Sequence, residues 1–156
     1  MTHLKKSDKA PQFEAKIEDG SIISLSDYKG KKKILYFYPK DNTPGCTANA
    51  CNFKDNYESL TNKGFVVIGV SIQREKSHQK FIDKHKLKVT LLSDIDEKVC
   101  NKYGVIKEKN MYGKKVMGVE RSTFIINDKG YLVKEWRKVK VQNHVEEVLE
   151  FIKTIL

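Results

Sequence analysis

Residues 34–47 read ILYFYPKDNTPGCT, and this stretch decides the fold. The apolar run 34–38 predicts a central strand that is covered on both faces. A short loop follows, and Pro44 favours the first turn of a helix, because its missing N–H would have no intrahelical partner there. Thr43 is then the expected N-cap residue. The stretch therefore predicts a strand, a turn and a helix, with Cys46 in the first helical turn.

The position of Cys46 has a chemical consequence. The free N–H groups and the dipole of a helix N-terminus favour negative charge, so they favour a thiolate over a thiol. An ordinary cysteine has a pKa near 8.5 and is only about 3% thiolate at pH 7, whereas a pKa below 7 would raise that fraction up to roughly thirty-fold. Cys46 is therefore the candidate nucleophile, although a free cysteine is more often a small buried core residue.

The spacing of Pro39, Thr43 and Cys46 is P-x-x-x-T-x-x-C, which resembles the peroxidatic motif of the peroxiredoxins. Residues 38–53, YPKDNTPGCTANACNF, are similar to the bacterioferritin comigratory protein or peroxiredoxin Q type in particular. The likeness continues through Arg121, in the segment RSTF, to the C-terminal helix. It implies a thioredoxin-like fold and a thiol-dependent peroxidase that reduces hydrogen peroxide and organic hydroperoxides.

The peroxidase chemistry needs a nucleophile and hydrogen-bond donors. Cys46 would attack one peroxide oxygen as a thiolate and become a sulfenic acid. The leaving oxygen gains negative charge, so donors must point at it. Candidate donors are the backbone N–H groups of Gly45 and Cys46, the Thr43 hydroxyl and the Arg121 guanidinium. By the resemblance, Thr43 and Arg121 hold thiolate and peroxide together, and Pro39 shields the thiolate from water.

Cys51 is the candidate resolving cysteine. On an intact helix, residues five apart have Cα atoms roughly 8 to 9 Å apart, whereas a disulfide tolerates at most about 7 Å. Cys46 and Cys51 therefore cannot bond while the helix stands. We expect a reduced form that is helical from about Pro44, and local unwinding when the disulfide forms. The resemblance implies that thioredoxin then reduces the disulfide.

Three further observations bear on this interpretation. The resembling proteins often carry Glu or Gln where this chain has Asn49, and the shorter side chain puts the orientation of Arg121 in question. Cys100 lies in a predicted helix beside Val99 and is expected to be a core residue. The histidines and cysteines lack zinc-site spacing, so no metal or other cofactor is expected. The four histidines are His3, His78, His85 and His144.

Composition bounds the remaining possibilities. The chain has 156 residues, 39% hydrophobic and 32% charged, which fits one domain, 1–156. No apolar run is long enough for a membrane span or a signal peptide, and three cysteines fit a reducing cytoplasm. The net charge is +10, but the lysines are scattered and most are expected on solvent faces, so no nucleic acid partner is expected. The resembling proteins are commonly monomeric.

The rest of the chain predicts an α/β fold with a mixed central sheet flanked by helices and an N-terminal β-hairpin extension. Asp19-Gly20 marks the turn of that hairpin, within 16–25. Ser93 and Asp96 have capping-box spacing. The other predicted elements are helix 47–60, strand 65–70, helix 75–86, strand 89–92, a short helix after Asp96, a loop or loose hairpin 105–119, strands 122–126 and 131–136, and a final helix from about Val145.

Two other functions remain open at this point. A dithiol–disulfide oxidoreductase acting on proteins is one, although such enzymes usually carry C-x-x-C and this chain has C-x-x-x-x-C. A non-enzymatic basic module that binds polyanions or acts as a holdase is the other. The second would bind nucleic acid in a steeply salt-dependent manner, independently of Cys46.

Overall fold

The computed structural model of the protein describes residues 8–155, and the elements below lie within that range. The strands are β1 Glu14–Ile17, β2 Ile22–Ser24, β3 Lys32–Phe37, β4 Phe65–Ser71, β5 Thr90–Ser93, β6 Ile106–Met111, β7 Lys114–Val119, β8 Ser122–Ile126 and β9 Leu132–Trp136. The helices are α1 Pro44–Asp55, α2 Tyr57–Asn62, α3 Glu75–His85, α4 Lys98–Lys102 and α5 His144–Ile155, with a 3₁₀ turn at Leu25–Tyr28.

Seven strands form one mixed sheet in the order β2-β1-β5-β4-β3-β8-β9. The central strands β3, β4 and β5 are parallel, whereas β8 runs antiparallel to β3 and β9 antiparallel to β8. The β1–β2 hairpin extends the sheet through antiparallel pairing of β1 with β5. The predicted mixed sheet, flanking helices and N-terminal hairpin are confirmed.

The run 34–38 is apolar throughout because β3 is covered on both faces. Successive side chains of a strand point to opposite faces. Ile34, Tyr36 and Tyr38 join the apolar cluster formed with α1, α2, α3 and α5. Leu35 and Phe37 join the other cluster, which holds α4 and the segment before β1. The loop that follows β3 therefore starts from a fixed position at the end of the central strand.

The predicted single helix 47–60 is wrong in one respect, because the structure has two helices with a break at Asn56. Asn56 lies outside helical geometry, at φ −108° and ψ 11°. Its side-chain amide donates to the Asn52 carbonyl over 2.8 Å. An asparagine that bonds a nearby carbonyl competes with the helical ladder. The helix that carries Cys46 therefore ends at Asp55.

The predicted capping box of Ser93 and Asp96 is also wrong. Helix α4 begins at Lys98 after the N-cap residue Glu97, and the side chain of Asp94 supplies the capping hydrogen bonds. The two carboxylate oxygens of Asp94 accept hydrogen bonds from the backbone N–H groups of Val99, over 3.1 Å, and Cys100, over 2.8 Å. Each carboxylate oxygen thus satisfies one N–H group of the first helical turn, which has no partner within the helix.

The segment 105–119 is a regular two-stranded hairpin, so the loop alternative is wrong. Met111 of β6 pairs with Lys114 of β7, and the turn residues Tyr112 and Gly113 both have positive φ, 52° and 78°. Positive φ at both central positions is typical of the turn that matches the twist of a hairpin.

Most lysines were expected on solvent faces, and Lys33 is an exception. It is 2% exposed, and its ammonium lies 3.5 Å from the Asn127 carbonyl. Burial lowers the pKa of Lys33.

Within residues 8–155, no helix combines the length and the apolar character that crossing a bilayer would require.

Candidate active site

Cys46 lies in the first turn of α1, as predicted, and is 2% exposed. Thr43 occupies the N-cap position in extended geometry, and its carbonyl accepts the N–H of Thr47 over 2.8 Å. Pro44 opens the helix. The local sequence therefore places the sulfur where free helix N–H groups converge.

Arg121 reaches this sulfur from a distant part of the chain. Its Nη2 donates to the Cys46 Sγ over 3.2 Å. Arg121 directly precedes β8, and the register of β8 on β3 pairs Ser122 with Phe37, at the start of the Cys46 loop. Its carbonyl accepts the N–H of Val139 over 3.0 Å, which fixes the backbone. The contact puts a positive charge against the sulfur, the environment in which reactive thiolates are found.

Gly45 leaves room for the guanidinium. A Cβ at this position would lie 3.2 Å from Nη2 of Arg121 and 3.7 Å from a methyl of Val141. Any other residue would crowd the arginine against the thiol. The missing side chain of Gly45 therefore admits the guanidinium of Arg121.

Thr43 and Pro39 lie in the loop that leads to Cys46, but the Thr43 hydroxyl is not aimed at the sulfur. It donates to the Lys40 carbonyl over 3.0 Å. The Pro39 carbonyl accepts the Ser71 hydroxyl over 3.4 Å. Among the described residues the Thr43 hydroxyl thus closes a turn within its own loop and forms no hydrogen bond with the Cys46 sulfur.

Cys51 is half-buried on α1 and packs against the same apolar cluster as Cys46. The two thiols are not bonded, and α1 is intact from Pro44–Asp55. The described conformation thus matches the expected helical dithiol form. Cys100 is fully buried, and burial raises the pKa of its thiol. The prediction that Cys100 is a core residue is confirmed.

Asn49 does not contact Arg121 by hydrogen bonding. It is fully buried, and among the described residues neither atom of its amide has a hydrogen-bond partner. Nη1 of Arg121 and the hydroxyl of Tyr36 are buried without a partner in the same range. Burial raises the pKa of Tyr36, with Cys46 among the neighbouring charges. Asn49 and Nη1 of Arg121 are thus both buried without a hydrogen-bond partner among the described residues.

Lys109 is a residue that sequence reasoning missed. Its ammonium donates to the Val119 carbonyl over 2.5 Å, and its side chain lies across Gly118, where a Cβ would be 3.4 Å from the lysine Cδ. Burial and the nearby Arg121 guanidinium lower the pKa of Lys109. A second cation thus lies close to Arg121. The β6–β7 register brings Lys109 close to Arg121, and no pattern in the lysine-rich sequence predicts this position.

Residues 8–155 contain no group of side chains that is suited to bind a metal ion. There, no three side chains of the types His, Cys, Asp and Glu come together in a group that could hold a metal ion. His3 lies outside the described residues. The site is therefore a thiol, a guanidinium and a helix N-terminus.

Comparison with known proteins agrees with this geometry. The AhpC/TSA family matches residues 7–135. The chain is 51% identical to peroxiredoxin Bcp of Bacillus subtilis over 150 residues, 96% of each protein. It is 39% identical to peroxiredoxin Bcp of Escherichia coli over 153 residues, 98% of each.

Among solved structures, the chain is similar to a bacterioferritin comigratory protein and to a PrxQ. A Xanthomonas campestris bacterioferritin comigratory protein, studied for alkyl peroxide reduction, has a TM-score of 0.87 and 41% identity, covering 91% of this chain and 90% of that one. A cysteine-to-serine mutant of PrxQ from Xylella fastidiosa has a TM-score of 0.93 and 37% identity, covering 99% and 98%. The predicted thioredoxin-like fold is confirmed.

Fold and site together define a thiol-dependent peroxidase. The chain belongs to the AhpC/TSA family and, within it, to the peroxiredoxins of the Bcp or peroxiredoxin Q type. Such an enzyme takes a peroxide as its substrate and a thiol as its reductant.

Proposed function

We propose that Cys46 is the peroxidatic cysteine, Cys51 the resolving cysteine and Arg121 the donor that orients the peroxide. The observation that carries this proposal is the 3.2 Å hydrogen bond from Arg121 to the Cys46 sulfur. A guanidinium offers several N–H donors in a fixed fork, so it can hold a thiolate and a peroxide oxygen at once. Nη1 of Arg121, buried and without a partner in the described chain, is available for that second contact.

The first step is attack by the Cys46 thiolate on one peroxide oxygen. The S–O bond forms as the O–O bond breaks, and the other oxygen leaves with the electron pair, takes a proton and departs as water or an alcohol. Arg121 and the N–H groups of Gly45 and Cys46 stabilise the charge on that oxygen. Pro39 limits access of water to the thiolate. The Thr43 hydroxyl holds the loop through the Lys40 carbonyl, and rotation of this hydroxyl brings it to the substrate.

The second step forms the disulfide. The Cys51 thiolate attacks the sulfenic acid sulfur of Cys46, and hydroxide leaves as water after protonation. Because both residues lie on the intact helix α1, its first turns must unwind before the sulfurs can meet. The break at Asn56 limits the unwinding to α1 and spares α2.

Recycling requires a dithiol donor, which we propose is thioredoxin. We also propose that the enzyme works in the cytoplasm as a monomer with one domain, 1–156, and that it uses hydrogen peroxide and organic hydroperoxides. Neither nucleic acid nor membrane is part of this cycle. The odd number of cysteines, three, argues against a structural disulfide framework and supports a reducing compartment.

Peroxide consumption coupled to thioredoxin and its reductase tests the proposal. The wild type should turn over, Cys46→Ser should be inactive, and Cys51→Ser should consume about one peroxide per protein and then stop. Cys100→Ser, with its thiol in the opposite apolar cluster, is the matched control and should turn over normally. Turnover by Cys46→Ser would overturn the proposal.

The same proteins separate the peroxidase from a protein dithiol–disulfide oxidoreductase. Reduced wild type mixed with hydrogen peroxide alone should lose two thiols rapidly. Loss of thiols only after addition of a disulfide-bonded protein would favour the oxidoreductase instead.

A further inference from the structure

A buried ion pair lies at the centre of the loop that leads to Cys46. Asp41, 5% exposed as a residue, accepts a hydrogen bond from the fully buried His78 over 2.7 Å at Nδ1. The Tyr38 and Ser77 hydroxyls donate to the same carboxylate, each over 2.6 Å. On the other side of the ring, Nε2 of His78 lies 3.1 Å from the Leu92 carbonyl. None of these groups takes part in the peroxide chemistry described above.

The hydrogen-bond pattern assigns a proton to each ring nitrogen of His78. The Leu92 carbonyl can only accept, so Nε2 donates to it. The carboxylate of Asp41 also only accepts, so Nδ1 donates as well. Burial by itself would raise the pKa of Asp41. The hydrogen bond and charge of His78, together with the hydrogen bonds from the two hydroxyls, outweigh burial, so the pKa of Asp41 is lowered. The pair is therefore a carboxylate and an imidazolium, both satisfied.

The pair joins the Cys46 loop to parts of the fold outside α1. Asp41 lies in that loop, between Pro39 and Thr43. Its partners Ser77 and His78 belong to α3, and the imidazole is fixed in turn by the carbonyl of Leu92 on β5. Neither α3 nor β5 belongs to the segment that is expected to unwind, so this attachment does not depend on the helical turns of α1.

We propose that Asp41 and His78 are positioning residues that hold the loop 39–43 in place, so that Cys46 meets Arg121 in the reduced enzyme and returns to it after each disulfide is reduced. The inference rests on the proposed Cys46 cycle. Neither residue touches the sulfur or the peroxide. Their effect passes through the loop backbone, which sets where α1 begins. Displacement of a reacting group by about 1 Å is enough to slow catalysis by as much as about 10²-fold.

The test compares two reactions of the same sulfur. Oxidation by hydrogen peroxide depends on the loop and on Arg121, whereas alkylation by iodoacetamide needs the thiolate but no oriented peroxide. Rapid quench and mass spectrometry give both rate constants at a temperature well below the melting transition. We expect His78→Phe, which keeps the ring volume but lacks the ion pair, to lower the peroxide rate at least about tenfold and to change the alkylation rate less than about twofold.

His85→Phe is the matched control. His85 lies on the same helix and its ring contacts the same loop, 3.3 Å from the Asn42 side-chain oxygen, but it is partly exposed and forms no ion pair. Cys46 in the His85→Phe variant should be oxidised by peroxide at the wild-type rate. Asp41→Asn keeps an accepting oxygen and removes the charge, so it should slow the peroxide reaction by a smaller factor than His78→Phe. If His78→Phe does not fold, the peroxide and alkylation rates of Asp41→Asn alone test the inference.

Four outcomes separate the possibilities. Wild-type peroxide rates in both variants, even with lower melting temperatures, would show a merely structural pair and overturn the inference. Equal slowing by His85→Phe would assign the effect to α3 in general and overturn it too. Parallel loss of peroxide oxidation and alkylation would mean a changed thiolate, which also contradicts positioning. Failure of wild-type Cys46 to react with peroxide would instead overturn the proposed function.

Discussion

The Arg121 guanidinium donates a hydrogen bond to the Cys46 sulfur over 3.2 Å, although the two residues are 75 positions apart in the sequence. Two separate features make the contact. Pro44 starts the helix that carries the cysteine, and the antiparallel register of β8 on β3 carries the arginine to the end of the central strand. A small shift of either element would separate the guanidinium from the sulfur.

Replacement of Arg121 should slow peroxide reduction strongly without unfolding the protein. We expect Arg121→Gln to lower the rate of Cys46 oxidation by about 10²- to 10³-fold, the usual effect of removing one donor to a developing oxyanion. Arg121→Lys should recover only part of it, because an ammonium keeps the charge but lacks the planar fork. Stopped-flow oxidation by hydrogen peroxide measures both. Wild-type rates in Arg121→Gln would contradict the assigned role.

The same substitution at two glycines should have different effects. Gly45→Ala places a Cβ 3.2 Å from Nη2 of Arg121, so the guanidinium must shift by a few tenths of an ångström. We expect peroxide oxidation to slow several-fold with little change in the free energy of unfolding, because alanine favours the helix. Oxidation kinetics and urea unfolding of one preparation provide the two measurements.

Gly69→Ala is the counterpart in the sheet. Its Cβ would lie 2.7 Å from the Tyr36 ring and 2.8 Å from a methyl of Leu91, both in the tightly packed core. Overpacking of this kind lowers the free energy of unfolding by about 1–3 kcal/mol. If Gly69→Ala proved as stable as the wild type, the close packing of Tyr36 over β4 would be incorrect.

Disulfide formation should unwind α1 and leave α2 in place. We expect backbone amides within Pro44–Asp55 to lose hydrogen-exchange protection on oxidation, with a matching loss of far-ultraviolet helical signal, while amides of Tyr57–Asn62 keep theirs. The physical reason is the Cα separation of Cys46 and Cys51 on an intact helix. Cys51→Ser treated with one equivalent of peroxide is the control and should keep α1. Identical protection in dithiol and disulfide forms would rule the unwinding out.

His144 should make stability depend on pH. It is 2% exposed, and its Nε2 lies 2.8 Å from the Thr123 hydroxyl. Burial lowers its pKa from the usual 6.5, so the folded protein holds the neutral ring while the unfolded chain binds a proton near that value. The contribution is complete above pH 6.5 and is lost as the pH falls from 6.5 through the lower folded pKa, with a slope of at most about 1.4 kcal/mol per pH unit.

Urea unfolding at several pH values between 5 and 8 measures this effect. His144→Gln should show a shallower fall below pH 6.5 than the wild type. Coincident pH dependence for His144→Gln and wild type would exclude a contribution from the buried ring.

Prediction from sequence worked best where the deciding residues are neighbours. The strand at 34–38, the helix start at Pro44 and the hairpin of β8 and β9 follow from local patterns, and all three are present. It failed where local signals compete. Asn56 breaks a helix that apolar spacing alone would continue, and Asp94 caps α4 in place of the predicted box.

The sequence by itself determined the candidate nucleophile, its place at a helix N-terminus and the five-residue separation from Cys51, because spacing along one helix is fixed by backbone geometry. Only the tertiary structure decided which cation meets the sulfur, that Thr43 bonds Lys40, and that Asp41 pairs with His78. Those contacts depend on strand register and helix packing, which join segments far apart in the chain. No local sequence pattern predicts such contacts.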